Sequence, residues 1–186
     1  TDGNMVVINK NGWHIQVNTS IPFIRSTSMK SLVPPKRGGS WDSFRSFFNV
    51  RDENDAVIML SFILECLRSN MVKPFLCLSG GAGTGKTTLV NMLQELVDPR
   101  TDNEQNLPNT IRDLAVFAYD AWLPSFGNIS KISSVMSDAL CRLSTGGGFR
   151  TRKLYSDTEN IVLKLQRPVI LNGINDFVEK QDLLDR

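Results

Sequence analysis

The stretch SGGAGTGKTTLVNML, Ser79 to Leu93, joins an apolar run, PFLCL, to a helical pattern, and within it Gly80 to Thr87 matches GxxxxGK[ST] in full. A strand, a glycine-rich turn and a helix in that order make a cradle for phosphates. Gly80, Gly81, Gly83 and Gly85 let backbone N–H groups turn inward, Ala82, Thr84 and Thr88 complete the loop, and the helix N-terminus adds partial positive charge. Lys86 then neutralises the β and γ phosphates, and the Thr87 hydroxyl completes a magnesium shell. The expectation is ATP with Mg2+. The plain alternative is a glycine-rich turn that binds nothing.

The rest of the chain limits what such a site serves. It has 186 residues, 41% hydrophobic and 22% charged, enough for one domain with a core and a small appendage. A net charge of +2 is too mild to imply a nucleic-acid partner by itself. Cys66, Cys77 and Cys141 are odd in number and widely spaced, which fits neither a disulfide framework nor a zinc ribbon and points to a reduced, cytoplasmic protein. The longest apolar run, VIMLSFILECL, is broken by Ser61 and Glu65 and is too short to span a membrane. The single histidine, His14, has no plausible metal partners. Thr1 at the start and Arg186 inside a helical pattern suggest a fragment of something longer.

Along the chain, residues 4 to 18 alternate apolar and polar around Asn11-Gly12 and read as a β-hairpin with a tight turn at that dipeptide. Pro34-Pro35 and Gly38-Gly39 mark an extended linker. This places a module boundary near Ser40, with residues 1–50 as hairpin module and linker and 51–186 as the core. Asp52 to Ser69 forms an apolar helical face, and 129–143 another. LAVFAYD reads as a buried parallel strand, Leu114 to Ala118, with Asp120 just past its end as the second magnesium ligand. A helix-capping or turn aspartate is the alternative. RPVILNGIND reads as a second buried strand, and Asn172 at its end stands where ligands of open α/β sheets bind. An Asn-Gly turn is the other reading.

These phrases in their order, GGAGTGKTT, VFAYD, SDALCRLSTGGGFRTRKLY, VILNGI and DLLDR, resemble the ATPase core of superfamily-3-like replicative helicases, in the poxvirus-type primase-helicase group of phages and integrated mobile elements. The resemblance runs from about Trp13 to Arg186. It implies an α/β fold of P-loop NTPase, AAA+ type, with a parallel sheet flanked by helices, preceded here by the hairpin module. It further implies a homo-oligomeric ring, a hexamer by analogy, translocating on single-stranded DNA. Lys86 and Asp120 would act in catalysis, with Asn172 as sensor 1 and Arg186 as an arginine finger into the neighbouring subunit. Where AAA+ proteins carry Glu after the Walker B aspartate, this chain has Ala121 and Trp122, and Asp138 is a weak substitute.

Between Arg142 and Arg167, six basic residues stand against two acidic ones. A Gly146-Gly147-Gly148 hinge leads into Phe149-Arg150-Thr151-Arg152-Lys153, which offers cations for phosphates and an aromatic face for a base. Arg150, Arg152 and Lys153 are the candidate backbone contacts, with subunit packing or solvation as the alternative. Residues 1–45 are similarly basic, six against two. Trp13, Trp41 and Trp122 read as core or interface anchors. The leading expectation is a replicative helicase motor of a mobile element or phage. A nucleotide-dependent loader or switch with slow hydrolysis is the alternative, and a small-molecule phosphotransferase lacks a visible acceptor site.

Overall fold

The computed structural model describes residues 4–17, 26–69, 71–152 and 160–186. Two strands, β1 (Met5–Asn9) and β2 (Gly12–Gln16), pair antiparallel as the alternation predicts. The turn itself differs by one residue. Asn9 pairs with Gly12, so Lys10 and Asn11 make the turn, and the Asn11 N–H donates to Asn9 Oδ1 at 2.9 Å. A short helix, α1 (Trp41–Arg45), and then α2 (Glu53–Leu67) lead to β3 (Phe75–Leu78) and α3 (Lys86–Val97). The chain continues through β4 (Gln105–Asn106), α4 (Ile111–Asp120), β5 (Ser125–Ile129) and α5 (Ser134–Thr145). A second hairpin, β6 (Gly148–Arg152) with β7 (Asn160–Lys164), precedes β8 (Val169–Gly173) and α6 (Gln181–Leu184).

The central sheet has the order β3-β8-β5-β4, and all its pairs are parallel. Alternation along β8 sorts its side chains to two cores. Val169 and Leu171 pack with α4, α5 and α6, while Ile170 packs with α2 and α3. Helices therefore cover both faces, which a parallel sheet requires because each of its faces is apolar. The result is a mixed α/β fold with a four-stranded parallel sheet and a separate small hairpin at the N-terminus.

Three expectations fail here. LAVFAYD is helix, the C-terminal part of α4, and not a strand. Thr110 caps it by accepting from the Asp113 N–H at 3.1 Å, and Ile111, Leu114, Ala115 and Ala118 fall at helical spacing toward the core, with Val116 and Tyr119 exposed. The run of apolar letters concealed that period. The strand expected there lies instead at SFGNI, where Gly127-Asn128 looks like a turn but forms a bulge against β8. For the same reason the next helix starts later than expected. Ile129 ends β5, and Ser133 caps α5 by accepting from the Met136 N–H. The glycine triplet is no hinge either, since Gly146 closes α5 in the left-handed region at φ +82° and Gly148 opens β6.

A polar clamp holds the turn after α4. Asp98 Oδ2 accepts from the backbone N–H groups of Trp122 and Leu123 at 2.8 and 3.0 Å. The fully buried Arg100 side chain donates to the Asp120 carbonyl and carboxylate, to Asp102 and to Ser28. Ser28 and Lys30 also bond through their backbones to Thr101 and Pro99, so this part of the expected free linker is docked on the core. Trp122 is an anchor as expected. Its indole N–H donates to the Cys66 carbonyl, and Lys73 and Arg167 lie over its ring.

Burial works to raise the Asp120 carboxyl, but hydrogen bonds from Arg100, Ser26 and Ser28 outweigh it and hold the group below the ordinary aspartate range. A depressed folded-state value stabilises the fold above the unfolded value, near 3.9, and that contribution disappears as pH falls through the folded value. Melting temperature followed from about pH 6 downward should therefore drop more steeply in acid for wild type than for Asp120→Asn.

Candidate functional site

The loop after β3 and the first turn of α3 enclose one side of a cavity of about 370 Å³, and the ends of β5 and β8 enclose the other. Ala82 to Thr88 line it together with Asn128, Asn172, Gly173 and Ile174. The loop geometry depends on missing side chains. Gly83 and Gly85 have φ of +78° and +86°, a region that L side chains rarely adopt, and Gly85 is the N-cap of α3 without any side-chain hydrogen bond. The first N–H groups of α3 are thus uncapped by side chains and face an opening suited to an anion. Lys86 Nζ donates to the Gly80 and Gly81 carbonyls at 2.7 Å each, so its charge is held within the loop.

Opposite this loop, Asn172 pairs in register with Leu78 and is only 4% exposed. Its Nδ2 donates to Glu104 Oε1 at 2.7 Å, while its buried Oδ1 has no partner among the described residues. Glu104 Oε2 accepts from the Thr87 hydroxyl at 3.4 Å. Asn128 lines the cavity in a left-handed conformation, φ +55°, which asparagine tolerates better than most residues. Glu104 and Asn128 escaped the sequence reading. Glu104 sits in the polar stretch TDNEQN, which has no periodicity, and Asn128 stands just ahead of the helical pattern read from 129.

The structure brings Ala82 to Thr88 and Asn172 to one cavity, with Gly80 and Gly81 in the same loop, but leaves Asp120 out. That carboxylate ends α4, is committed to Arg100 and Ser28, and does not line the cavity. The reason is the helical assignment of its segment, which removes it from any strand end. Asp138 is exposed and paired with Lys180 at 2.6 Å. Arg186 follows α6, and its carbonyl accepts from the N–H of Phe75, the first residue of β3. It therefore lies at the end of β3 opposite the phosphate loop, about 10 Å of strand away. Hard oxygen donors at Thr87 and Glu104 fit Mg2+, which takes few protein ligands and completes its shell with water and phosphate. No group of three or more metal-ligating side chains occurs among the described residues.

The basic segment forms the β6–β7 hairpin, paired from Gly148↔Lys164 to Arg152↔Asn160. Arg150 is exposed on β6 and Arg152 ends that strand, while Lys153 lies outside the described residues. Phe149 is no stacking platform. It is 1% exposed in the core, with the Arg142 guanidinium 5.4 Å from its ring centre. Arg167 is likewise occupied, its Nε bonded to the Ala118 and Ala121 carbonyls. Burial lowers its pKa, with Asp98 opposing.

Residues 42–186 match the family described as actinomycete integrative conjugative element replication protein. The chain belongs to this family. Residues 1–41, including the N-terminal hairpin, lie outside the match. DNA replication in mobile elements is thus the setting of this replication protein family, and among the described residues no helix is long and apolar enough to cross a membrane. No curated protein matches the sequence. Among solved structures, the chain is similar to the A form apo structure of the NrS-1 C-terminal region, residues 305–718, at 13% identity and a TM-score of 0.49. That match covers 91% of this chain and 39% of the other, so the chain spans well under half of it.

The hairpin assignments can be separated by stability. Phe149→Ala should cost about 3–5 kcal/mol in urea unfolding, as for a core aromatic, whereas Arg150→Ala should change stability by less than about 0.5 kcal/mol.

Proposed function

We propose that the chain is the ATP-driven motor core of a replication protein, binding and hydrolysing ATP to move along single-stranded DNA as part of a ring of identical subunits. One observation carries the reading: an uncapped helix N-terminus with Lys86 and Thr87 faces a buried, half-unpaired Asn172 across a cavity at the strand ends of a parallel sheet. In an AAA+ P-loop NTPase these groups have distinct tasks. The α3 N–H groups and Lys86 stabilise the charge on the β and γ phosphates, where preorganised donors do the most. Thr87 would hold Mg2+ on the protein side, where the ion would supply positive charge to the transferring group. Asn172 Oδ1, acting as sensor 1, accepts from the attacking water and orients it.

Arg186 stands too far along β3 to serve its own loop, which supports a role as arginine finger on the neighbouring subunit. A cation supplied across an interface makes hydrolysis conditional on assembly. Arg150 and Arg152 on β6, with Lys153 following in sequence, contact the DNA backbone, and the binding is salt-dependent as for any phosphate contact. A second reading has a specific observation in its favour. β5 carries Gly127-Asn128 and no acid, and a site short of an acid would suit a switch or loader that turns over slowly.

ATP hydrolysis with and without single-stranded DNA decides between them. The motor reading expects stimulation of at least tenfold, abolished by Lys86→Ala and strongly reduced by Arg150→Ala with Arg152→Ala. Tight ATP binding with no stimulation would favour the switch.

A further inference from the structure

The acid that a P-loop site requires beside its Thr hydroxyl is missing from both places where sequence would put it. Asp120 is clamped to Arg100 at the end of α4, and β5, the strand between β8 and β4, presents Gly127 and Asn128. Gly127 is buried, and its missing side chain is the informative feature. A β-carbon built there would overlap Glu104, standing 2.5 Å from Oε2 and 2.7 Å from Cγ. The Glu104 side chain thus fills the space that a side chain on β5 would occupy. It arrives from the residue just before β4, whose Asn106 pairs with Gly127. From there its two oxygens divide between Thr87 Oγ1 and Asn172 Nδ2.

We propose that Glu104 is the metal-facing acid of this site, delivered from the neighbouring strand segment through the space left by Gly127. The inference rests on the nucleotide reading above and goes beyond it by naming the group that completes the Mg2+ environment. Three independent features converge on it. The donor is a carboxylate, the ligand type Mg2+ takes alongside phosphate oxygens. Its partner Thr87 holds the Mg2+ position in GxxxxGK[ST]. The remaining polar atom beside it, Asn172 Oδ1, is buried and unpaired, as expected of a group awaiting a ligand or ordered water. In the competing arrangement Glu104 only plugs the cavity, and its negative charge opposes the entry of phosphate.

Equilibrium binding of a fluorescent ATP analogue, in excess Mg2+ and in excess EDTA, distinguishes these outcomes without relying on turnover. Wild type should bind in EDTA and at least tenfold more tightly with Mg2+, and Lys86→Ala should weaken both. The isosteric Glu104→Gln and the shorter Glu104→Ala should keep the EDTA affinity and lose the Mg2+ enhancement. Gly127→Asp alone should lower the melting temperature through overlap with Glu104, whereas Glu104→Ala with Gly127→Asp should recover part of the Mg2+ enhancement by moving the acid onto β5. Unchanged Mg2+ enhancement in Glu104→Gln, or tighter binding in Glu104→Ala under both conditions, overturns the proposal and leaves the nucleotide reading standing. Absence of binding by wild type in either condition overturns both.

Discussion

Burial of β8 on both faces is the constraint from which the site follows. Its backbone is paired on one side to β3 and on the other to β5, and its side chains are committed alternately to two helical layers. A strand so enclosed has one register available, because a slip of one residue would exchange the two cores. That register sets Asn172 beside Leu78, the last residue before the phosphate loop. The position of a polar side chain at the cavity is therefore decided by where Val169, Ile170 and Leu171 pack. Its partner Glu104 is then ordered by a hydrogen bond to a group that cannot move.

The legible parts of the chain were those whose local pattern and tertiary role agree. The loop from Gly80 to Thr88 is specified by glycines that the backbone needs, and β3, α2, α3 and β8 by apolar patterns with clear ends. Trouble began where one pattern served two structures. Leu114 to Ala118 supports a strand by composition and a helix by period, and the deciding signal, Thr110 with Asp113, lies ahead of the apolar run. Conversely β5 contains Gly127-Asn128, and only pairing with β8 and β4 makes it a strand. Glu104 was illegible for a different reason. Its place at the site comes from β4–β5 pairing, a long-range contact with no trace in the polar letters around it.

The arginines show how poorly a charge count reports a binding surface. Of the basic side chains between Arg142 and Arg167, Arg142 covers Phe149, and Arg167 ties the end of α4 while lying over Trp122. Both are structural, and their stems pack as apolar groups do. Among the described side chains, Arg150 on β6 and Lys164 on β7 remain exposed. The same economy operates at the Arg100 clamp, where two aspartates satisfy a fully buried guanidinium. Losing one partner there would strand a charge in the interior, so the fold that encloses the clamp needs all of its members.

Overlap between Gly127 and Glu104 has a consequence for substitution. Two positions that compete for one volume are not independent, because a side chain acquired at 127 displaces the one at 104. Inspection of β5 alone would miss the carboxylate that reaches Gly127 from the neighbouring strand segment.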